Sequence, residues 1–316
     1  MSRPNRTEWQ AGGFYEGVFE DGTPFQLNLP YPMPKSIQRK EWEPTSLNAS
    51  YWYPRRFSGE TILLKLKSFQ DNAFTIAGIA ADKEGRSIEK EIFEGILSPD
   101  RMQATGVWTH IKGKKLTFTM SRTYEYRGVD LTLTTEAGRG YKPERPFIFS
   151  VIFPVFGESK VDRSITNIVS ECEQDLECRN TVQVAWFSKA SFSLTGSIWG
   201  YSEAMAHGNG YAIIQNYVTA SSAPKHVALD HFINTSPGCL DRVSQKIVSA
   251  LKKKGLSRAE DGTLQDWKHA KFLPTPLGIL FDFDTYEVGA YVEGIPTVFI
   301  ERGQFGKCLK DLPHHE

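Results

Sequence analysis

The sequence predicts an α+β protein with two domains. A small all-β domain is expected over residues 12–137, and an α+β domain with two helices packed on an antiparallel sheet over residues 145–312. Three observations support this. The 316 residues exceed one typical domain of roughly 100–200 residues. The first half carries mainly strand patterns, whereas the second half adds two helical ones. Between them, Gly138–Pro146 combine glycine, proline and charge, which is typical of a linker.

Closely spaced strands joined by polar turns predict the first domain. Phe14–Phe19 and Pro24–Leu29 flank Asp21-Gly22, a hairpin turn pair. Residues 1–11 are predicted to be a polar, flexible lead-in, and residues 30–48 a long loop. Further strands are predicted at Tyr51–Tyr53, Thr61–Lys67, Ala73–Ala80, Ile88–Leu97, Gln103–His110 and Leu116–Met120. This pattern favours an antiparallel sheet, a sandwich or a small barrel. A strand at Asp130–Thr135 fits either domain.

Strands and two amphipathic helices alternate in the second half. The predicted helices are Ile165–Cys178 and Leu240–Lys254, each with apolar residues on one face. Ser236-Pro237-Gly238 introduces the second helix, and Gly255 is suited to end it. Strands are predicted at Phe147–Phe153, Gln183–Phe187, Ala190–Tyr201, Tyr211–Val218 and within Gly278–Glu301.

Charge and motifs argue against several classes of function. The 37 basic residues equal the 37 acidic ones, so no basic field attracts phosphates, and we expect no nucleic-acid partner. No apolar run approaches the roughly 18 residues of a transmembrane helix, and the polar start lacks the apolar core of a signal peptide. No metal, phosphate-loop, dinucleotide or serine-hydrolase motif is present. We therefore predict no cofactor, no metal and no catalytic residue.

Four cysteines, Cys172, Cys178, Cys239 and Cys308, all lie in the second half. None forms a CxxC motif, and an even count permits two disulfides in three pairings. We favour Cys172–Cys178 and Cys239–Cys308, while four reduced buried thiols remain the alternative. Disulfides predict a periplasmic or other extracytoplasmic location.

Three segments of the second half resemble the RsiV-like domain of lysozyme-sensing anti-sigma factors and some peptidoglycan deacetylases. They are Phe147–Asn167, then Met205–Tyr211 with Gln215–Tyr217 and Val227–Ile233, and finally Gly278–Ile300, which is the most specific match. The likeness covers about residues 145–309. Ala204-Met205 stands where the family prefers two glycines, and Gly208 where it prefers proline. Four short glycine–aromatic motifs of the first half also resemble a small β-domain that is sometimes placed before RsiV-like domains in envelope proteins; they are Phe14–Gly17, Tyr51–Tyr53, Phe93–Gly95 and Gly106–Trp108.

The resemblance implies a binding function. In the anti-sigma factors the domain captures lysozyme outside the cytoplasm. We therefore expect an envelope protein that recognises a lysozyme-like or other cell-wall-active protein as inhibitor, sensor or immunity factor. The candidate binding residues are His207, Asn209, Tyr286, Glu287 and Tyr291, with a structural role as the alternative for each.

Two further hypotheses remain open. The chain is alternatively a peptidoglycan-binding module, since exposed tryptophans can stack on sugars. It is alternatively a wall-active hydrolase that uses Asp282, Asp284 or Glu287. On a strand, Asp282 and Asp284 share one face at roughly 6.5–7 Å, within the separation used by glycosidase carboxylates. The alternative, which we favour, is a solvated strand face with Phe281 and Phe283 buried opposite.

Overall fold

A computed structural model describes residues 5–32, 49–54, 62–81, 87–133, 147–154, 177–188, 190–201, 209–218, 224–310 and 312. It forms two compact units, Glu8–Gly128 and Met1–Thr7 with Val129–Glu316. The predicted linker Gly138–Pro146 lies outside the described residues. No helix within the described ranges is long and apolar enough to cross a lipid bilayer.

The first unit is an eight-stranded antiparallel barrel. Each strand pairs with the next along the chain, and β1 also pairs with β8, which closes the sheet. This closure leaves the barrel without the unpaired edges that invite aggregation. The strands are β1 (Asn5–Phe19), β2 (Pro24–Pro30), β3 (Ala49–Trp52), β4 (Ile62–Gln70), β5 (Ala73–Ala81), β6 (Ser87–Leu97), β7 (Gln103–His110) and β8 (Lys115–Leu133).

Turn chemistry and aromatic packing explain this barrel. Gly22 has φ +80° in the β1–β2 turn, as its Asp-Gly sequence predicted. Asp71 and Asn72 both adopt positive φ in the β4–β5 turn, the backbone of a two-residue hairpin. Position 106 requires glycine, because a Cβ there would lie only 2.1 Å from the Glu94 carbonyl oxygen. Aromatic side chains fill the interior, among them Tyr15, Phe19, Phe25, Phe74, Phe93, Trp108 and Phe118.

Two predictions about the first unit were wrong. β1 begins at Asn5 rather than after residue 11, because buried Trp9 and Ala11 alternate with exposed Glu8 and Gln10. This alternation is a strand pattern, but it is too short to stand out in a segment that is otherwise polar. The separate strands predicted at Leu116–Met120 and Asp130–Thr135 are instead parts of one continuous strand as far as Leu133.

The second unit contains two sheets. The first has the order β9-β10-β11-β12-β13 and the second β14-β15-β16. The strands are β9 (Phe147–Pro154), β10 (Glu177–Phe187), β11 (Ser191–Tyr201), β12 (Asn209–Val218), β13 (Lys225–Val227), β14 (Lys271–Thr275), β15 (Gly278–Asp282) and β16 (Thr297–Glu301). The described helices are α1 (Pro237–Lys253) and the short α2 (Arg302–Phe305), with 3-10 turns at Leu229–His231, Ala259–Asp261, Trp267–His269, Tyr291–Glu293 and Gly306–Cys308.

The first sheet of this unit departs from the expected antiparallel arrangement, because β9 and β10 are parallel. Residues 155–176 separate them in sequence, and a parallel pair requires a connection of at least about a dozen residues. Most of the predicted helix Ile165–Cys178 lies outside the described residues, but its last two residues belong to β10. The α+β description therefore holds only in part, since the described chain is mostly β.

Helix α1 confirms the predicted amphipathic pattern. Val243, Ile247 and Leu251 are fully buried in a core that includes Phe281, Ile300 and other residues of the three-stranded sheet. The helix begins after Ser236 with proline in its first turn, and Gly255 follows it with φ +79°. The predicted Cys239–Cys308 disulfide is present and ties the start of α1 to the C-terminal segment. The predicted Cys172–Cys178 pair cannot be placed, because Cys172 lies outside the described residues.

Candidate functional site

The connection between β15 and β16, residues 283–296, gathers most of the candidate binding residues, and we name it the tyrosine loop. Phe283 and Val288 anchor it, with exposed fractions of 5% and 0% within the core beneath α1. The backbone N–H of Phe283 donates to the carbonyl of Pro296 at 3.0 Å, which closes the base of the loop. The loop therefore projects from a packed hairpin with both ends fixed.

Carboxylates hold the loop's two turns. The Glu287 carboxylate accepts from the backbone N–H of Asp284 at 2.7 Å, and the Glu287 N–H donates to the Asp284 carbonyl at 3.0 Å. In the second turn, the Glu293 carboxylate accepts from the backbone N–H of Ala290 and from the Ser257 hydroxyl at 2.9 Å. These bonds satisfy backbone donors and fix the loop's conformation. A fixed loop loses little conformational entropy when it binds a partner.

Tyr286 adopts a backbone conformation that bulky residues avoid, with φ +71°. The Arg258 guanidinium donates to the Tyr286 carbonyl at 2.8 Å, and the Arg258 backbone N–H donates to the Val288 carbonyl at 3.1 Å. Asp261 in turn pairs with Arg258 at 2.8 Å. Strained backbone of this kind persists only where the surroundings determine it, and it concentrates at functional sites.

Large apolar side chains are exposed along the tyrosine loop. The exposed fractions are 41% for Tyr286, 38% for Tyr291, 89% for Val292 and 38% for Ile295. The rings of Tyr286 and Tyr291 lie 5.8 Å apart between centroids. Among the described residues of the second unit, only Tyr211 and Leu277 are comparably exposed large apolar residues elsewhere. A cluster of exposed apolar side chains with paired tyrosines is typical of a protein-binding surface.

Two carboxylates at the start of the loop, those of Asp282 and Asp284, have different roles. Asp284 forms an ion pair with Lys271 of β14 and accepts from the backbone N–H of Ala212 in β12 at 2.8 Å. It therefore links the loop to both sheets. Asp282, at the end of β15, has a carboxylate oxygen that is buried and has no hydrogen-bond partner among the described residues. Asp282 and Asp284 were expected to act as a pair on one strand face. Instead, Asp282 has a buried carboxylate oxygen without a partner among the described residues, and Asp284 forms an ion pair.

Burial raises the pKa of Asp282 to about 6, with Lys271 opposing the shift and Asp284 adding to it. Desolvation also raises the pKa of Glu287, although its bond to the Asp284 N–H opposes this shift. A carboxyl with a pKa near 6 can exchange a proton close to neutral pH. The hydrolase hypothesis, which needs such a group, stays a prediction.

The shifted pKa of Asp282 predicts a pH-dependent change in stability for Asp282→Asn. Because the folded-state pKa exceeds the usual 3.8, the folded state holds this proton more tightly. Stability is consequently lost as pH rises from about 4 through about 6. The variant removes the ionisation and should be more stable than the wild type at about pH 7, by roughly 1–3 kcal/mol. At about pH 4 the two should be nearly equal. Urea unfolding at both pH values measures this, and an equal effect at both would contradict it.

The structure brings together three of the five predicted binding residues. Tyr286, Glu287 and Tyr291 share the tyrosine loop, where the Glu287 carboxylate also holds the first turn. Asn209 is the first residue of β12, where it pairs with Gly200. His207 lies outside the described residues.

Sequence reasoning missed Val292, Ile295 and Arg258. Ile295 lies between Gly294 and Pro296, and Val292 is two positions before Gly294. Glycine and proline mark loops, and loops run over the surface, so these turn residues were the available signal. Arg258 acts on Tyr286 across 28 positions of sequence, and no local pattern indicates such a contact. Among the described residues, no group of three or more histidine, cysteine or acidic residues is arranged to hold a metal ion.

Comparison with known proteins identifies one domain. Residues 235–303, from just before α1 to α2, match the family described as protein of unknown function (DUF3298), so a DUF3298 domain is present there. A solved DUF3298 family protein from Pseudomonas aeruginosa PAO1 is similar at 13% identity, covering 58% of this chain and 96% of its own, with TM-score 0.40. One from Bacteroides fragilis is similar at 14% identity, covering 60% and 95%, with TM-score 0.41. No curated protein sequence matches the chain.

Proposed function

We propose that this chain, which carries a DUF3298 domain over residues 235–303, is an extracytoplasmic binding protein. Its partner is a lysozyme-like or other cell-wall-active protein, and the tyrosine loop is the contact surface. The observation that carries the proposal is the exposure of Tyr286, Tyr291, Val292 and Ile295 on one hydrogen-bonded loop. The RsiV-like resemblance of Gly278–Ile300, which contains this loop, agrees with the proposal.

The loop's chemistry favours a protein partner. Tyrosine supplies a large contact area with few rotatable bonds and a hydroxyl for hydrogen bonding, so it is enriched at interaction hot spots. Val292, with 89% exposure, gains more from burial than any other apolar residue of the loop. The carboxylate-held turns present these side chains in a fixed arrangement, which lowers the entropic cost of association.

The Cys239–Cys308 disulfide supports the proposed location. Disulfides persist in oxidising compartments such as the periplasm and the cell exterior, and they are rare in the cytosol. This bond joins the start of the DUF3298 domain to the segment after it, so the loop belongs to a domain stabilised by oxidation. A partner that acts on the cell wall occupies the same compartment.

Binding should depend on the two tyrosines. In Tyr286→Ala/Tyr291→Ala, affinity for the partner should fall at least about 30-fold, because the loss of even one hot-spot residue costs roughly 2 kcal/mol. We would immobilise the oxidised protein and measure binding of a panel of purified muramidases by biolayer interferometry.

Leu277→Ala provides the matched control, because Leu277 is similarly exposed, at 37%, but lies in the turn at the other end of β15. It should bind as the wild type does. Equal binding by the tyrosine variant and the wild type would contradict the role of the loop. If no muramidase binds and the protein instead sediments with purified sacculi, the partner is peptidoglycan and the proposal is wrong.

A further inference from the structure

A groove of about 580 Å³ lies between α1 and the segment formed by β16 and α2. Arg242, Lys246 and Lys253 of α1 contribute to its helical wall. Phe299 and Ile300 of β16 contribute to the opposite wall, which continues into the glycines around α2. The described residues that line the groove include three cations and no acidic side chain.

The three cations are not neutralised within the described part of the chain. Arg242, Lys246 and Lys253 form no ion pair there, and no side-chain hydrogen bond engages them. The lysines on either side of Lys253 differ in this respect, since Lys252 pairs with Glu260 at 2.8 Å and Lys254 donates to the Thr297 carbonyl at 2.8 Å. A concave surface that carries three uncompensated positive charges attracts an anionic ligand.

The cationic row has a length suited to an extended chain. Arg242, Lys246 and Lys253 follow one another along α1 at spacings of four and seven residues, and a rise of about 1.5 Å per residue places the ends of the row about 16 Å apart. An extended peptide covers that distance with about five residues. Alternate side chains of such a peptide point the same way, so acidic residues at every second position can face the row.

The opposite wall offers backbone pairing. β16 is at the edge of the three-stranded sheet and pairs only with β15 among the described strands. In an antiparallel sheet, alternate backbone N–H and C=O groups of an edge strand point away from its partner. Lys254 donates to the Thr297 carbonyl, and the Gln304 side-chain oxygen accepts from the Glu301 N–H at 2.9 Å. Pairing with an added strand is therefore left to the outward backbone groups around Phe299, at the middle of the strand. Strand addition at such an edge is a common mode of peptide recognition.

We propose that this groove binds an extended acidic segment of a partner polypeptide, which adds as a strand to β16 while its carboxylates face Arg242, Lys246 and Lys253. The backbone edge selects a polypeptide, and the cations select its charge. Gln245, Ser249 and Gln304, which also line the groove, supply further polar contacts. The site is separate from the tyrosine loop and does not depend on what that loop binds.

The test uses a fluorescein-labelled peptide of about eight residues that alternates glutamate with valine, long enough to pass the row. Fluorescence anisotropy measures its binding to the full oxidised chain. A glutamine–valine peptide tests the need for charge, and a glutamate–valine peptide with alternate backbone nitrogens methylated tests strand pairing. We expect the first peptide to bind and both others to bind at least about tenfold more weakly.

Arg242→Glu/Lys246→Glu should weaken the first peptide's binding at least about tenfold, because both changes turn attraction into repulsion. Lys90→Glu/Lys112→Glu, an equal charge change at exposed positions of the barrel, should leave binding unchanged, as should Tyr286→Ala/Tyr291→Ala. Absence of binding, equal loss in the barrel variant, or an unaffected methylated peptide would each overturn the proposal. The last result would identify a general polyanion surface instead.

Discussion

Replacing both cysteines in Cys239→Ala/Cys308→Ala should lower the free energy of unfolding of the second unit by about 4 kcal/mol. The two cysteines are 69 positions apart, and the chain-entropy model gives a stabilisation of that size for a loop of this length. Both cysteines are buried, at 5% and 1% exposure, so the lost sulfur contacts add to the effect. Urea unfolding of the variant against the oxidised wild type measures it.

The location of the loss distinguishes this prediction from general destabilisation. The disulfide joins α1 to a segment that also pairs locally, through the bridge between Ile233 and Leu309 and the bond from the Asn234 N–H to the Cys308 carbonyl at 2.7 Å. Hydrogen exchange should therefore accelerate in α1 and β14–β16 but not in the barrel strands β6 and β7. Reduction of the wild type should reproduce this pattern. Unchanged exchange in α1 after reduction would show that the disulfide adds nothing to stability.

Elements with strong local patterns were predictable from the sequence. The buried stripe of Val243, Ile247 and Leu251 follows helical periodicity, and the Asp21-Gly22 pair specifies its turn. Tyr286 and Tyr291 were grouped because their segment resembles a known domain. In each case the prediction rests on residues within about ten positions of one another, and at that range periodicity, turn residues or a motif can be recognised.

Features that depend on distant residues were not predictable. The parallel pairing of β9 with β10 joins segments separated by a long connection, and strand alternation carries no direction. The contact of Arg258 with Tyr286 and the groove between α1 and β16 arise only when the domain packs. Lys252, Lys253 and Lys254 illustrate this limit. As a run they indicate only a helix end, yet the fold assigns one to an ion pair, one to the groove and one to a strand carbonyl.

A buried carboxylate in the barrel should be the second large determinant of stability. Glu91 on β6 has an exposed fraction of 6% and accepts from the Tyr51 hydroxyl of β3 and from the Trp108 indole N–H of β7 at 3.1 Å. Gly78 lies opposite in β5, and a Cβ there would lie 2.9 Å from the Glu91 side chain. The absence of a side chain at Gly78 thus leaves space for Glu91. One carboxylate oxygen of Glu91 connects β6 to β3 and to β7.

Glu91→Leu should destabilise the barrel by about 3 kcal/mol, because it leaves two donors buried without partners and each costs roughly 1–3 kcal/mol. Glu91→Gln has a similar volume and retains a carbonyl oxygen, so its loss should stay below about 1 kcal/mol. Burial and the bond to Glu91 both raise the pKa of Tyr51, so its hydroxyl remains a donor across the accessible pH range. Chemical denaturation followed by tryptophan emission, which includes that of Trp108, compares the variants. Equal stability of the leucine and glutamine variants would mean that Glu91 contributes through its volume and not as an acceptor.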